Sequence, residues 1–118
     1  MYIEGKKLVS DALASIPNVT VTASYEVGMK NLPCIIYSEV VNTKGCKGIE
    51  KRTNLAYDIH IYSESSTTTL ASQADEKMAN LGFVRGTCLD LDDPSGLRHK
   101  SMKYTGVYDA NTNRIYER

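Results

Sequence analysis

The residues of this chain that could do chemistry are few and scattered. His60 and His99 are its two histidines, far apart and with no His or Cys at metal-ligand spacing. His60 alternates with Ile59 and Ile61, the pattern of a strand-surface residue rather than of a ligand. Asp90, Asp92 and Asp93 supply carboxylate oxygens, which hard cations prefer. They lack the ligand series of a calcium loop, and Asp93-Pro94-Ser95-Gly96 carries the residue preferences of a type I turn. Lys44-Gly45-Cys46-Lys47-Gly48 is glycine-rich and basic but lacks the phosphate-loop spacing. It also falls between two expected hairpin strands, so no helix N-terminus follows to hold a phosphate. Cys34, Cys46 and Cys88 are odd in number and form no C-x-x-C, which suggests idle thiols in a reducing compartment. There is no G-x-S-x-G elbow, and the serines cluster where a helix cap is expected. Carboxylate pairs can still be assembled in space, and nothing in the sequence selects one. The expectation is no catalytic residue, no cofactor and no metal, and hence a protein that is not an enzyme.

Composition agrees with a domain that works through its surfaces. The 118 residues suit a single domain spanning 1–118, and 42% hydrophobic content is enough for one core. Trp is absent and Phe83 is the one Phe, so the eight Tyr fill most aromatic positions. Fourteen basic and fourteen acidic residues cancel, which argues against a dedicated nucleic-acid binder and favours self-association. The charges are nevertheless clustered. Lys44, Lys47, Lys51 and Arg52 form a basic group, Arg98, His99, Lys100 and Lys103 a second, and Asp90, Asp92 and Asp93 an acidic one. These are either solvated loops or complementary patches that meet across copies of the chain. The N-terminus has no apolar h-region, and no apolar run approaches the ~20 residues that span a bilayer. Neither a secretory route nor a membrane partner is therefore expected.

The elements that position these residues follow from periodicity. Residues 2–16 place Gly5, Val9, Ala12, Leu13 and Ile16 at helical spacing, and Pro17 ends the helix. Residues 19–23 and 33–41 read as strands, with loops at 24–32 and 42–50. The third strand covers 51–62. Leu55, Tyr57, Ile59 and Ile61 should face the helices, while Asp58, His60 and Tyr62 face water or another subunit. A second helix covers 67–81, capped by Ser65 or Ser66 and closed by Gly82. Strands over 83–91, 98–109 and 114–117 complete the order α-β-β-β-α-β-β-β. The expected fold is α+β, in two layers: a mostly antiparallel sheet of four to six strands with two helices on one face. Tyr37, Tyr62, Tyr104 and Tyr108 would be the stacking platforms if the sheet bound single-stranded nucleic acid instead.

Several strings, in order, carry a resemblance. They are Pro33-Cys34-Ile35-Ile36-Tyr37 near Glu39, Tyr57-Asp58-Ile59-His60-Ile61-Tyr62-Ser63, and the segment from Asp75 to Arg85. Leu91-Asp92-Asp93-Pro94, Arg98-His99-Lys100 and Tyr104-Thr105-Gly106-Val107-Tyr108 follow. Over residues 33–110 the chain resembles the tail-completion or tail-terminator (head–tail joining) proteins of tailed bacteriophages and prophages. The resemblance implies a non-catalytic subunit of a homo-oligomeric ring, usually a hexamer, at the head-proximal end of the tail. There it would stop tube growth and contact the tail-tube protein and the head connector. The implied location is the host cytoplasm during assembly, then the neck end of the virion tail. Lys44, Lys47, Lys51 and Arg52 against Asp90, Asp92 and Asp93 become candidate subunit contacts, with Asp58, His60 and Tyr62 as a further face. No sequence-specific nucleic acid is expected as a partner. A single-strand nucleic-acid module and a small enzyme with a spatially assembled site are the alternatives.

Overall fold

Tyr57, Ile59 and Ile61 are fully buried and Leu55 nearly so, as strict alternation along one strand requires of a half-buried sheet. A computed structural model describes residues 4–24, 30–46, 49–92, 94, 96–110 and 112–116, with side chains undescribed at 43–46 and 49–51. The elements are α1 (Gly5–Ala14), β1 (Thr20–Thr22), β2 (Cys34–Cys46), β3 (Ile49–Ser63), α2 (Thr68–Leu81), β4 (Val84–Leu91), β5 (Arg98–Asp109) and β6 (Arg114–Tyr116). The strands form one six-stranded sheet in the order β1-β2-β3-β5-β4, with β6 paired to β5. All pairings are antiparallel except β1 with β2. The α+β, mostly antiparallel architecture expected from the sequence is therefore present.

The helices bury their stripes on one face. Val9 and Leu13 of α1 join Ala71, Ala74 and Met78 of α2, the inward residues of β3, and Met102 and Tyr104 of β5. Gly5 lets α1 approach closely, since a Cβ there would lie 1.8 Å from the Tyr57 hydroxyl oxygen. That hydroxyl donates to Glu39 Oε1 at 2.8 Å, and the same oxygen accepts from Asn42 Nδ2 at 3.0 Å. The polar tip of a buried Tyr is thus satisfied at the rim of the core. Gly82 ends α2 at φ 108°, and the Phe83 amide closes back on the Met78 carbonyl at 3.2 Å. Phe83 then packs edge-on against Tyr57, at 5.5 Å between centroids.

Three expectations need correction. The loop placed at 42–50 is largely strand: Asn42, Thr43 and Lys44 pair with Leu55, Asn54 and Thr53, and Cys46 pairs with Ile49. Backbone ladder bonds between the two arms outweigh the weak strand preference of its Asn, Gly and Lys residues. The cap of α2 is Thr67, which makes no side-chain cap bond, while the Ser66 hydroxyl accepts from the Thr68 amide at 3.2 Å. Tyr62 is not on a wet face. It is 4% exposed and forms a second cluster with Cys34 and Ile36 on the outer side of the sheet, flanked by Leu32 and Leu97.

Candidate assembly surface

The register along the central strands sets where the charged groups lie. At one end, Cys34 pairs with Tyr62, Tyr62 with His99, and His99 with Leu91, so the acidic end of β4 lies at the same end of the sheet as the start of β2, two strands away. At the other end β3 pairs with β5 as far as Arg52 and Asp109, while the β2–β3 hairpin continues to Cys46 and Ile49. The backbone that bears Lys44 and Lys51 therefore lies at the far end of the sheet from Asp90 and Asp92. The molecule measures 48 × 23 × 23 Å, and that separation follows its long axis. A strand rises about 3.3 Å per residue, so the span from Ile49 to Tyr62 accounts for most of the length. Lys47 and Asp93 lie outside the described residues, as do the side chains of Lys44 and Lys51. Arg52 is exposed.

At the acidic end, Asp92 is exposed and Asp90 is engaged within the chain. Lys100 Nζ lies 2.9 Å from Asp90 Oδ1, with side-chain exposures of 16% and 78%. Beside this pair is an open cleft of about 830 Å³, lined by Ser66, Thr67, Thr68, Gly96, Leu97 and Lys100 among others. The Lys100 charge in this cleft is thus already countered by Asp90. Leu89 and Leu91, on the adjacent strand edge, are 51% and 40% exposed. An edge strand with outward leucines is a surface that another chain can cover.

The outer face between the two ends carries paired groups rather than isolated ones. Asp58 Oδ1 lies 3.8 Å from Lys103 Nζ across β3 and β5. His60 Nδ1 and His99 Nε2 are 3.0 Å apart, and His99 stacks on Tyr62 at 4.1 Å between centroids. Burial pushes the His60 pKa down; the Asp58 carboxylate pulls it back up and Lys103 pushes it further down. Burial pushes the Cys34 thiol up, opposed by a backbone hydrogen bond from Tyr62. On the opposite, helix-covered face, the Tyr104 hydroxyl donates to Asp75 Oδ1 at 2.8 Å, and Arg85 Nη1 lies 3.5 Å from Asp75 Oδ2. Burial, with the hydrogen bond and charge of Asp75, pushes the Tyr104 pKa far above its ordinary value.

Asp58, His60 and Tyr62 thus share one face as expected, but each is engaged by β5 of its own chain. The Asp75–Tyr104–Arg85 and His60–His99 constellations escape a reading by spacing, because β3–β5 register and helix packing create them. Of the four Tyr named as stacking platforms, Tyr104 is in the core and Tyr62 lies under His99. Neither offers a free ring face to a base. Among the described residues, no group of three or more His, Cys, Asp or Glu is placed to hold a metal ion. No described helix is long and apolar enough to cross a membrane. Neither a family model nor a curated protein matches this chain.

Proposed function

We propose that this protein is a structural tail component of a tailed bacteriophage or prophage. In this reading it forms a ring, with no catalytic role, at the head-proximal end of the tail, where it ends tube growth and contacts the head connector. The observation that carries the reading is the placement of the two charge clusters. The basic β2–β3 hairpin and the acidic end of β4 lie at opposite ends of a long sheet, so they meet only through a neighbouring copy. A contact between two different patches is heterologous, and such contacts close into rings when the rotation permits. Charge pairs there set register and orientation more than affinity. The resemblance over residues 33–110 supports the same role, and a hexamer is the ring size it implies.

The test is the native mass in solution, read by light scattering. The wild-type chain is expected to be a ring-sized oligomer. Lys47→Glu with Lys51→Glu should shift it towards monomer, and adding Asp92→Lys with Asp93→Lys should partly restore it. An oligomer unchanged by the reversals rules out this charge pairing. A wild-type chain that stays monomeric alone and does not bind purified tail tubes overturns the tail reading itself.

A further inference from the structure

β4 is the last strand on its side of the sheet, with β5 as its one strand neighbour among the described residues. Seven of its eight residues are exposed and Val84 is half-buried. Its outward backbone N–H and C=O groups are therefore open to another strand. Edges are usually protected by lysine, proline or a very short strand, and Val84 to Leu91 has none of these. It does carry one bulge, and that bulge sets what fits against it. The opposite side of the sheet differs. There β1 covers Cys34 to Ile36, and the stretch of β2 beyond it is interrupted by a bulge at Val40. Glu39 in that stretch is already held by Tyr57 and Asn42.

Arg85 pairs with Tyr104 and Cys88 with Met102, so Gly86 and Thr87 share the place opposite Lys103. Directly opposite residues point to the same face of a sheet. Arg85, Cys88 and Asp90 thus lie on the helix-covered face with Tyr104, Met102 and Lys100. Val84, Leu89 and Leu91 lie on the outer face with Thr105, Ser101 and His99. Without the extra residue, Arg85 and Asp90 would point to opposite faces. With the bulge counted as one position, β4 is self-complementary about Cys88. A second β4 laid antiparallel, with a two-fold axis at Cys88, sets Arg85 against Asp90 and Val84 against Leu91, each twice. Leu89 comes opposite the Gly86–Thr87 bulge, where glycine leaves room. The charges on the helix-covered face then alternate along one row: Lys100 and Asp90 of one copy, Arg85 and Asp75 of the other. Such pairs fix register more than affinity.

We propose that β4 is a self-pairing edge, through which two copies of this chain join their sheets antiparallel about a two-fold axis at Cys88. The contact is isologous, the same patch serving on both sides. Charge and size favour a second copy over an unrelated strand, because the charged and apolar side chains of β4 find their matches within β4 itself. The pairing does not rest on the tail reading.

Cysteine cross-linking tests both the pair and its register. Cys46→Ser removes the hairpin thiol and Cys34 is buried, which leaves Cys88 as the accessible one. Side chains directly opposite in an antiparallel pair have Cβ atoms about 4.5–5.5 Å apart. Diamide should therefore link the Cys46→Ser chain into a dimer on a denaturing gel. The rate should exceed by about tenfold or more that of a Cys46→Ser, Cys88→Ser, Leu8→Cys chain, because pairing raises the effective concentration of the thiols. Equal rates would mean chance collision and would overturn the proposal. In a Cys46→Ser, Cys88→Ser background, chains with Val84→Cys and chains with Leu91→Cys should link to each other when mixed, and not to their own kind. Linkage to their own kind alone would show a different register. Linkage of Leu91→Cys to Val40→Cys would show pairing with the β2 edge instead. Either result sinks the self-pairing. The gel reports which residues are neighbours and not the native mass, so failure of this pairing leaves the ring reading standing.

Discussion

Tyr57 and Tyr104 show how this chain uses tyrosine where other domains use Phe or Trp. Each buries its ring completely or nearly so and sends its hydroxyl to a carboxylate at the rim, Glu39 for one and Asp75 for the other. Tyr104→Phe keeps the ring but removes the donor to Asp75, which retains Arg85. The expected loss is about 1.5–3 kcal/mol in denaturant unfolding, as for a side-chain hydrogen bond to a charged group. Gly5→Ala tests the close approach of α1. Alanine is the better helix former, but its Cβ would overlap the Tyr57 hydroxyl, so stability should fall by about 1–3 kcal/mol rather than rise. A more stable Gly5→Ala protein would show that α1 is free to back away from β3.

Among the elements, α2 and its exit were the most legible. Leu70, Ala71, Ala74, Met78 and Leu81 lie on one helical stripe, and Gly82 followed by Phe83 is a stop signal that the structure uses as such. Gly82 has a second constraint that no sequence rule reveals. A Cβ there would lie 2.0 Å from the Ile115 carbonyl oxygen of β6, a strand thirty-odd residues later. Gly82→Ala should therefore cost more than the ~1 kcal/mol of a positive-φ glycine alone, seen as a clear fall in melting temperature. The β2–β3 hairpin was less legible, because Asn42 to Glu50 has loop composition and its strand character comes from pairing between the arms. The burial of Tyr62 was hidden for a similar reason. Alternation placed it on the outer face, but the cover supplied by Cys34, Ile36 and His99 depends on how three strands align.

At the scale of the whole molecule, the 48 Å axis separates the basic hairpin segment from the β4 end, where Asp90 and Asp92 sit near Arg98 and Lys100. If copies join through these ends, the assembly should loosen as ionic strength rises, since exposed pairs are screened beyond roughly 10 Å at 0.1 M salt. Light scattering across a salt series reads this directly, and an oligomer that tightens with salt would point to apolar contacts such as Leu89 and Leu91 instead. The β3–β5 seam has a further consequence, for the order in which the chain acquires its shape. Its two ends are unequal in sequence: Ser63 and Arg98 are separated mainly by α2 and β4, whereas Arg52 and Asp109 enclose everything between them and more. Closing the shorter loop costs less conformational entropy, though the difference grows only slowly with length. The seam should therefore start at Ser63–Arg98, once α2 has delivered β4 and β5, and zip towards the hairpin. Kinetic φ-values should be high for Ile61 and Met102 and low for Thr53 and Tyr108, so that the hairpin end locks last.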